Sequence, residues 1–410
     1  MGKMGGELVI IGIIGAGASG MAAALAASEA ENTEVILIER QARVGKKLLA
    51  TGNGRCNLSN LFSLQQGYHG EDAGFSQAAL NCYPPEETLA WFRSLGLFTV
   101  SEASGRVYPF SDHANSVVDV LRLNIADRKN ISLLTGKEVC KVRRDARGFW
   151  LDDEIRCDRL IIACGGLAGT KLGGSLSGYK LLAKFGHRST KLRPSLVQIK
   201  TKYADTLALK GVRAECNIKI LHNNESVKEN AGEVQFTEIG LSGPVIFEIS
   251  RDVCMKAGQW EACLDLLPGC SESDLFAELQ RRRSTGLSAD ELLTGVLHNR
   301  LGRVLVKAAG ISNNKLVSDL SDRELQDVCS IVKGWRIALS EPLDMSAAQV
   351  TAGGVRTDDF DPFTMESKLV PGLYACGEVL DVDGDCGGYN LQWAWSSGRL
   401  AGTSAGKGAL

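Results

Sequence analysis

Three glycines near the N-terminus have the spacing of a turn that binds a dinucleotide. Gly15, Gly17 and Gly20 form the pattern G-x-G-x-x-G in "GAGASG", which follows the apolar residues 8–14 and precedes an alanine-rich stretch. A second apolar segment, "EVILIER", contains Glu39, about twenty residues beyond the turn. A strand, a glycine turn, a helix and a distal acidic residue together indicate a βαβ unit that binds NAD or FAD.

Each residue type in this turn has a physical reason to be there. Gly15 permits the tight turn, Gly17 lets the backbone approach a pyrophosphate, and Gly20 lets the helix lie close to the strand. The helix N-terminus favours the negative charge of the phosphates. Ala16 and Ser19 belong to the same turn and are predicted to contact the cofactor, while Glu39 is predicted to accept hydrogen bonds from a ribose.

The segment after Glu39, "RVGKKLLATGNGRCNLSN", favours FAD over NAD. Its last nine residues, "GNGRCNLSN" at 52–60, suit neither a helix nor a strand and indicate a loop with positive φ angles. Lysines there can offset pyrophosphate charge, and the loop can follow the long axis of a large cofactor; a plain surface turn is the alternative. The residues after Glu39 that are predicted to contact the cofactor are Arg40 and, in this segment, Lys46, Lys47, Gly54, Arg55, Cys56 and Asn57.

Composition narrows the class of protein. The chain has 410 residues and a net charge of −2, which predicts two or three domains and argues against a dedicated nucleic-acid binder. Its twelve cysteines contain no C-x-x-C pair and are interpreted as mostly buried, reduced thiols of a cytoplasmic protein. Residues 8–27 resemble a signal peptide or a membrane span, but the change from β-branched residues to glycines to alanines favours strand, turn and helix.

Four longer segments resemble one family. "GKKLLATGNGRCNLSN" (45–60), "FTEIGLSGP" (236–244), "VTAGGV" (350–355) and "GLYACGEVLDVDGDCGGYNLQWAWSSG" (372–398) resemble bacterial flavoproteins of the BaiN-like, or aminoacetone-oxidase, family. More distantly, the pattern is similar to the fumarate-reductase branch of flavoproteins. The resemblance implies an α/β fold of the fumarate-reductase-like flavoprotein type: a Rossmann-like FAD-binding domain with an inserted β-barrel plus helical domain.

The resemblance also implies roles for residues far from the first turn. Gly377 and Glu378 would contact the ribityl chain, and Val139 would hold the adenine through backbone groups. Ala163 and Gly165 match a strand end in which Cys164 replaces the family's Thr. The residues that would lie against the pyrimidine side of the flavin are Gly388, Tyr389, Asn390 and Leu391.

Both ends of the chain belong to the predicted cofactor domain, so the middle is an insertion. The predicted segments are 1–190 and 343–410 for the FAD-binding domain, 191–270 for the β-barrel and 271–342 for the helical subdomain. Alternating segments such as "AECNIKIL" and a turn at 222–224 predict antiparallel strands. Capping boxes are predicted at Ser288 with Glu291 and at Ser321 with Glu324.

No side chain identifies itself from the sequence as a catalytic acid or base. His113 lies in a loop-like stretch and is the most interesting histidine, although a solvated loop histidine is the alternative. Cys56 beside Arg55 is either a reactive thiolate or a packed thiol. Ser242 is a predicted helix N-cap that either only caps or faces a substrate cavity, and the basic run 281–283 is interpreted as a solvated helix face.

The motifs leave two chemical routes open. The substrate donates a hydride to the flavin and oxygen accepts it, or NAD(P)H docks transiently and the reduced flavin reduces a second substrate, such as a conjugated C=C bond. A flavin-bound protein that acts on RNA, and a redox-responsive binding protein without turnover, are rival classes. We expect non-covalent FAD, a small-molecule substrate, no metal, and no nucleic-acid or membrane partner, with the oligomeric state open.

Overall fold

A computed structural model describes residues 7–202 and 205–407 of the chain. The chain forms two compact units: one ends at Pro194 and resumes at Ala348, and the other is Ser195–Ala347. The middle of the chain is thus an insertion into the first unit. Within the described residues, no helix is long and apolar enough to cross a membrane.

The first unit begins with the predicted strand, glycine turn, helix and strand. Residues 8–27 are divided between β1 (Val9–Ile14) and α1 (Ala18–Ala27), and β2 (Thr33–Glu39) follows. The later elements before the insertion are α2 (Lys46–Leu49), β3 (Ser59–Asn60), β4 (Tyr68–His69), α3 (Ser76–Cys82), α4 (Pro85–Ser94), β5 (Thr99–Ser101), β6 (Arg106–Pro109), α5 (Ala114–Asp127), β7 (Ile131–Thr135), β8 (Val142–Asp145), β9 (Gly148–Leu151), β10 (Ile155–Cys157), β11 (Arg159–Ile162), α6 (Ser177–Ala183) and β12 (Arg193–Ser195).

The second unit contains a closed six-stranded barrel and a group of helices. Its elements are β13 (Ile199–Thr201), α7 (Asp205–Ala208), β14 (Arg213–His222), β15 (Glu225–Phe236), β16 (Gly240–Ser242), α8 (Pro244–Met255), β17 (Trp260–Asp265), α9 (Glu272–Arg281), α10 (Asn299–Ala308), α11 (Asp322–Gly334) and β18 (Trp335–Pro342). The barrel order is β13–β16–β15–β14–β17–β18. The predicted helical segment 271–342 therefore ends in a strand, because β18 pairs with both β13 and β17 to close the barrel.

Local signals in this unit are partly confirmed and partly corrected. Both predicted capping boxes form, and the turn between β14 and β15 has positive φ at Asn223 and Asn224. Ser242 is not an N-cap: Gly243 holds that position with a φ of +100°, and Pro244 begins α8. The basic run 281–283 is not simply solvated, because its arginines pair with Glu278 and Asp322.

The chain returns to the first unit with four elements, β19 (Val350–Ala352), β20 (Leu373–Ala375), β21 (Asp383–Gly384) and α12 (Tyr389–Lys407). The central sheet has the parallel order β20–β11–β1–β2–β7. In this sheet Ile13 lies between Ile161 and Leu37, and all three are fully buried. Strands buried on both faces are continuous apolar runs, which explains the sequence of residues 8–14.

The C-terminal helix α12 packs closely against α1 because glycines face it. A Cβ at Gly398 would lie 2.3 Å from the carbonyl oxygen of Ser19, and one at Gly402 would lie 2.2 Å from that of Ala23. Only glycine permits this backbone approach. The last helix of the chain is thereby fixed beside the first glycine turn. The structure confirms the predicted fold class, a Rossmann-like domain with an inserted barrel and helices.

Candidate functional site

The turn after β1 shows a distinct physical reason for each of its glycines. Gly15 has a φ of +106°, and a Cβ at Gly20 would lie 1.8 Å from the carbonyl oxygen of Gly15. At Gly17, by contrast, a Cβ would meet no atom of the described residues within 4 Å, and φ is −80°. Protein atoms fill the space beside Gly15 and Gly20, whereas the space beside Gly17 is free. This arrangement matches a pyrophosphate lying against Gly17.

Two more predicted cofactor glycines also face open space. Gly54 and Gly165 have φ angles of +86° and +70°, and a Cβ on either would meet no described atom within 4 Å. Gly165 follows β11, the strand beside β1 in the central sheet. Because ligands of parallel α/β sheets bind outside the carboxyl ends of the strands, Gly17 and Gly165 lie where a dinucleotide would pass. The residues present therefore fit FAD.

Glu39 ends β2 with its carboxylate directed back at the glycine turn. Its Oε2 accepts a hydrogen bond from the backbone N–H of Ala16 at 2.8 Å, and its Oε1 accepts one from Gln41 at 2.8 Å. A carboxylate accepts about four hydrogen bonds, so capacity remains for a ribose. Arg40 beside it donates to the carbonyl of Gly173 at 2.6 Å.

The loop 52–60 has the positive φ angles that its composition predicted. Asn53 and Cys56 have φ angles of +56° and +60°. The Arg55 guanidinium lies 4.1 Å from the centre of the Tyr108 ring and 2.5 Å from Asp112 Oδ1. Arg55 is thus engaged with neighbouring protein groups, and its predicted contact with the cofactor stays a prediction.

The Cys56 thiol is completely buried. Burial raises its pKa to about 12, so the thiolate that nucleophilic chemistry requires is disfavoured. The packed-thiol interpretation therefore holds over the reactive one. All twelve cysteines are free thiols, and six of them are buried.

Lys47 and Glu378 form an ion pair across a long sequence separation. Lys47 Nζ lies 2.7 Å from Glu378 Oε2, and Glu378 Oε1 accepts from the backbone N–H of Thr351 at 2.9 Å. Both side chains keep some exposure, at 31% and 20%, whereas Lys46 is exposed. The lysine expected to offset pyrophosphate charge is therefore placed beside the acid expected at the ribityl chain.

Several of the predicted contact residues are buried in the protein. Ser19, Val139 and Ala163 are each no more than 5% exposed. A Cβ added to Gly377 would lie 2.5 Å from Ser19 Oγ. Gly377 itself has a φ of +75°. Ser19 therefore packs under the Gly377 turn, and any contact of these three with a cofactor remains a prediction.

Loop 52–60 and the C-terminal helix are joined by hydrogen bonds between residues far apart in sequence. Ser59 Oγ donates to Gln392 Oε1 at 2.6 Å, and Asn60 Nδ2 donates to the Gly387 carbonyl at 2.8 Å. A Cβ at Gly388 would lie 2.2 Å from the Ser59 carbonyl oxygen. The loop predicted to follow the long axis of the cofactor is thus brought together with the turn that the resemblance places against the flavin.

The turn before α12 is partly open to solvent. Residues 385–391 are all half-buried, whereas 381–384 and 392–398 are buried. The helix begins at Tyr389, so Asn390 lies inside its first turn. The Asn390 side chain bonds to both backbone groups of Gly384. Leu391 packs against the core of this unit.

A histidine that sequence reasoning missed lies at this turn. His69 Nε2 is 2.7 Å from Asp385 Oδ1, and both side chains are about one-third exposed. The Arg106 side chain approaches Gly387, which belongs to the same turn as Asp385. A Cβ added to Gly387 would lie 3.0 Å from Arg106 Nε. His113, the histidine singled out from the sequence, is exposed and its side chain caps nothing. Only the pairing of β4 with β21 could have revealed His69.

A glycine turn on a central parallel strand, with an acidic residue ending the next strand, defines a dinucleotide-binding Rossmann domain. The family model described as HI0933-like protein Rossmann domain matches residues 9–404. The chain belongs to this family of FAD-binding oxidoreductases, and the protein is an FAD-dependent oxidoreductase. The BaiN-like resemblance is confirmed.

Two curated relatives match over almost the whole chain. The 3-dehydro-bile acid Δ(4,6)-reductase of Clostridium scindens is 38% identical over 404 residues, covering 96% of this chain and 98% of that protein. The ribosomal RNA dihydrouridine synthase of Escherichia coli is 33% identical over 391 residues, covering 94% and 95%. Among solved structures, the 3-ketosteroid Δ1-dehydrogenase of Sterolibacterium denitrificans superposes with a TM-score of 0.50 at 12% identity, covering 97% of this chain and 99% of that chain. That match shows the fold alone.

Proposed function

We propose that this protein reduces a C=C bond conjugated to a carbonyl group in a small organic molecule, with non-covalent FAD and NAD(P)H as the electron donor. The observation that carries the proposal is the full-length similarity to two relatives whose names describe one kind of chemistry. Reduction of a Δ4,6 3-oxo steroid and formation of dihydrouridine both saturate a C=C bond conjugated to a carbonyl. The proposal transfers that shared chemistry to this chain.

The open glycines support the cofactor half of the proposal. Gly17, Gly54 and Gly165 leave free space beside the backbone, and the Lys47–Glu378 pair lies among the residues that would hold FAD. When bound, FAD accepts a hydride from a donor and returns it to a substrate. The chain's own part is to bind and orient both molecules and to supply a proton at the substrate.

Charge favours a small molecule over RNA as the substrate. The net charge is −2, whereas proteins that bind nucleic acid strongly need basic residues to neutralise phosphates. The basic run 281–283 is paired with acidic residues and does not offer a free cationic patch. The similarity to the RNA-modifying relative supports a second candidate function, which is reduction of a uracil base in RNA.

The test compares acceptors with the FAD-loaded protein under anaerobic conditions. NADPH or NADH is supplied, and the acceptors are a bile acid with a 3-oxo-4,6-diene and deproteinised ribosomal RNA. We expect NAD(P)H consumption that matches loss of dienone absorbance, and none with RNA. The Gly17→Val variant, which should lack FAD, is the control. Turnover with RNA alone would contradict the proposal, and so would turnover in a separate aerated assay in which oxygen is the only acceptor.

A further inference from the structure

We propose that His69, oriented by Asp385, is the catalytic acid that protonates the substrate in this reaction. The inference rests on the proposed function, because it assigns a residue to that same site. It begins from the geometry of β4 and β21, two short strands from opposite ends of the chain. Their antiparallel pairing sets His69 opposite Asp383, two residues before Asp385.

The Asp385 carboxylate fixes one ring nitrogen of His69 and leaves the other free. His69 Nε2 lies 2.7 Å from Asp385 Oδ1, so the carboxylate favours a proton on Nε2. Within the described chain, no residue forms a hydrogen bond with Nδ1. The side chain is 35% exposed. A histidine oriented by a carboxylate, with its second nitrogen accessible, has the arrangement of a general acid.

The other histidines do not meet these conditions. The His187 ring is fully buried and bonded to Ser367. His222 and His298 belong to the inserted unit, where they bond to backbone groups. His113 is exposed but has no carboxylate within ion-pairing distance among the described residues. His69 alone combines access, an orienting acid and a place in the FAD-binding unit.

The surroundings of His69 suit a carbonyl-bearing substrate. Asp385 begins the half-buried turn that leads into α12, and Arg106 approaches Gly387 of the same turn. Arg106 forms no ion pair with any residue that the structure describes. A cation without a carboxylate partner can hold the carbonyl oxygen on which negative charge develops during reduction.

Protons and electrons balance in the proposed step. The hydride added at the β carbon of the substrate's C=C bond would come from NAD(P)H, which is oxidised to NAD(P)⁺, through bound FAD. The π electron pair of the C=C bond moves toward the α carbon and the carbonyl oxygen. The N–H bond at His69 Nδ1 breaks, and its proton forms the new C–H bond at the α carbon. The imidazole is left neutral, still bonded through Nε2 to Asp385, and water returns the proton afterwards. Hydride and proton together add two electrons and two hydrogens.

The kinetic test measures two reactions separately: reduction of the flavin by NAD(P)H and reoxidation of the flavin by the substrate. FAD-loaded wild type and the His69→Gln variant are reduced anaerobically with dithionite and mixed with the 3-oxo-4,6-diene bile acid. We expect reoxidation of the flavin to slow by about a hundredfold or more in the variant, while its reduction by NAD(P)H keeps the wild-type rate. His113→Gln is the matched control and should behave as wild type. Asp385→Asn should show an intermediate loss.

A second readout does not depend on turnover. The protein has five histidines, so ¹⁵N-histidine spectra of the oxidised holoprotein are simple, and the His69→Gln variant assigns the His69 signals. A saturated 3-oxo bile acid should shift the His69 signals and leave those of His113 unmoved. If wild type reduces the dienone and His69→Gln matches it, the inference is wrong; if wild type reduces no enone, the proposed function is wrong first.

Discussion

Asn390 forms hydrogen bonds with both backbone groups of Gly384. Its Oδ1 accepts from the Gly384 N–H at 2.9 Å, and its Nδ2 donates to the Gly384 carbonyl at 2.7 Å. The first turn of α12 is thereby tied to the end of β21, which precedes the half-buried turn. Asn390 therefore helps to determine the shape of that turn.

Replacing Asn390 by Leu should therefore destabilise the protein and weaken FAD binding. Gly384 is buried, and leaving its N–H and carbonyl without partners should cost about 2 kcal/mol or more. Urea unfolding and FAD titration of the apoprotein measure the two effects. Asn390→Asp, which can still accept from the N–H, should lose less of both. Unchanged stability and affinity in Asn390→Leu would show that these bonds do not hold the turn.

Gly17→Val and Gly20→Val should fail in different ways. A side chain at Gly17 meets open space at an ordinary φ, so the variant should fold with wild-type stability and lose FAD. At Gly20 even a Cβ would overlap the Gly15 carbonyl, so that variant should be destabilised by about 3 kcal/mol or fail to fold. Circular dichroism and flavin content distinguish the outcomes. A folded Gly17→Val protein that retains FAD would contradict the placement of the pyrophosphate.

Cys56 should resist alkylation in the native protein. Its burial raises the thiol pKa to about 12, whereas Cys82 and Cys140 are exposed. Brief treatment with iodoacetamide at mildly alkaline pH, followed by peptide mass spectrometry, should label Cys82 and Cys140 before Cys56. Cys56 labelled as fast as these two would restore the reactive-thiol interpretation.

His187 should make stability fall in mild acid. Burial lowers its pKa, with Asp359 partly opposing the shift, so the folded state keeps the ring neutral. Below about pH 6.5 the unfolded chain binds a proton that the folded chain resists, and the free energy of unfolding decreases as the pH falls further. Urea unfolding above and below that pH should show a smaller decrease in His187→Gln. An equal decrease in both proteins would exclude His187 as a source of the pH dependence.

Local patterns were sufficient to predict the parts of the site that lie within one short segment. The glycine turn, β1, α1 and β2 follow from hydrophobic periodicity and glycine spacing, and the capping boxes follow from four-residue patterns. Ser242 was misplaced by one position, because Gly243 adopts the positive φ that precedes α8. Boundaries of this kind depend on a single backbone angle that composition does not determine.

Contacts between residues far apart in the chain could not be predicted from the sequence. His69 and Asp385 are 316 residues apart, and no periodicity connects them. Likewise, the sequence predicted the residues of β18 as the end of a helical segment. Their pairing with β13 and β17, which closes the barrel, shows that they form a strand. Such contacts are determined by the three-dimensional register of strands, which only the structure displays.

The most direct test of the proposed reaction is the chemical identity of the product from the 3-oxo-4,6-diene bile acid. The FAD-loaded protein is incubated anaerobically with NADPH and this acid, and the recovered steroid is analysed by mass spectrometry and NMR. We predict a product heavier by two hydrogens, with one C=C bond lost and the 3-oxo group retained. Recovery of unchanged dienone from a protein whose flavin is fully reduced would contradict it.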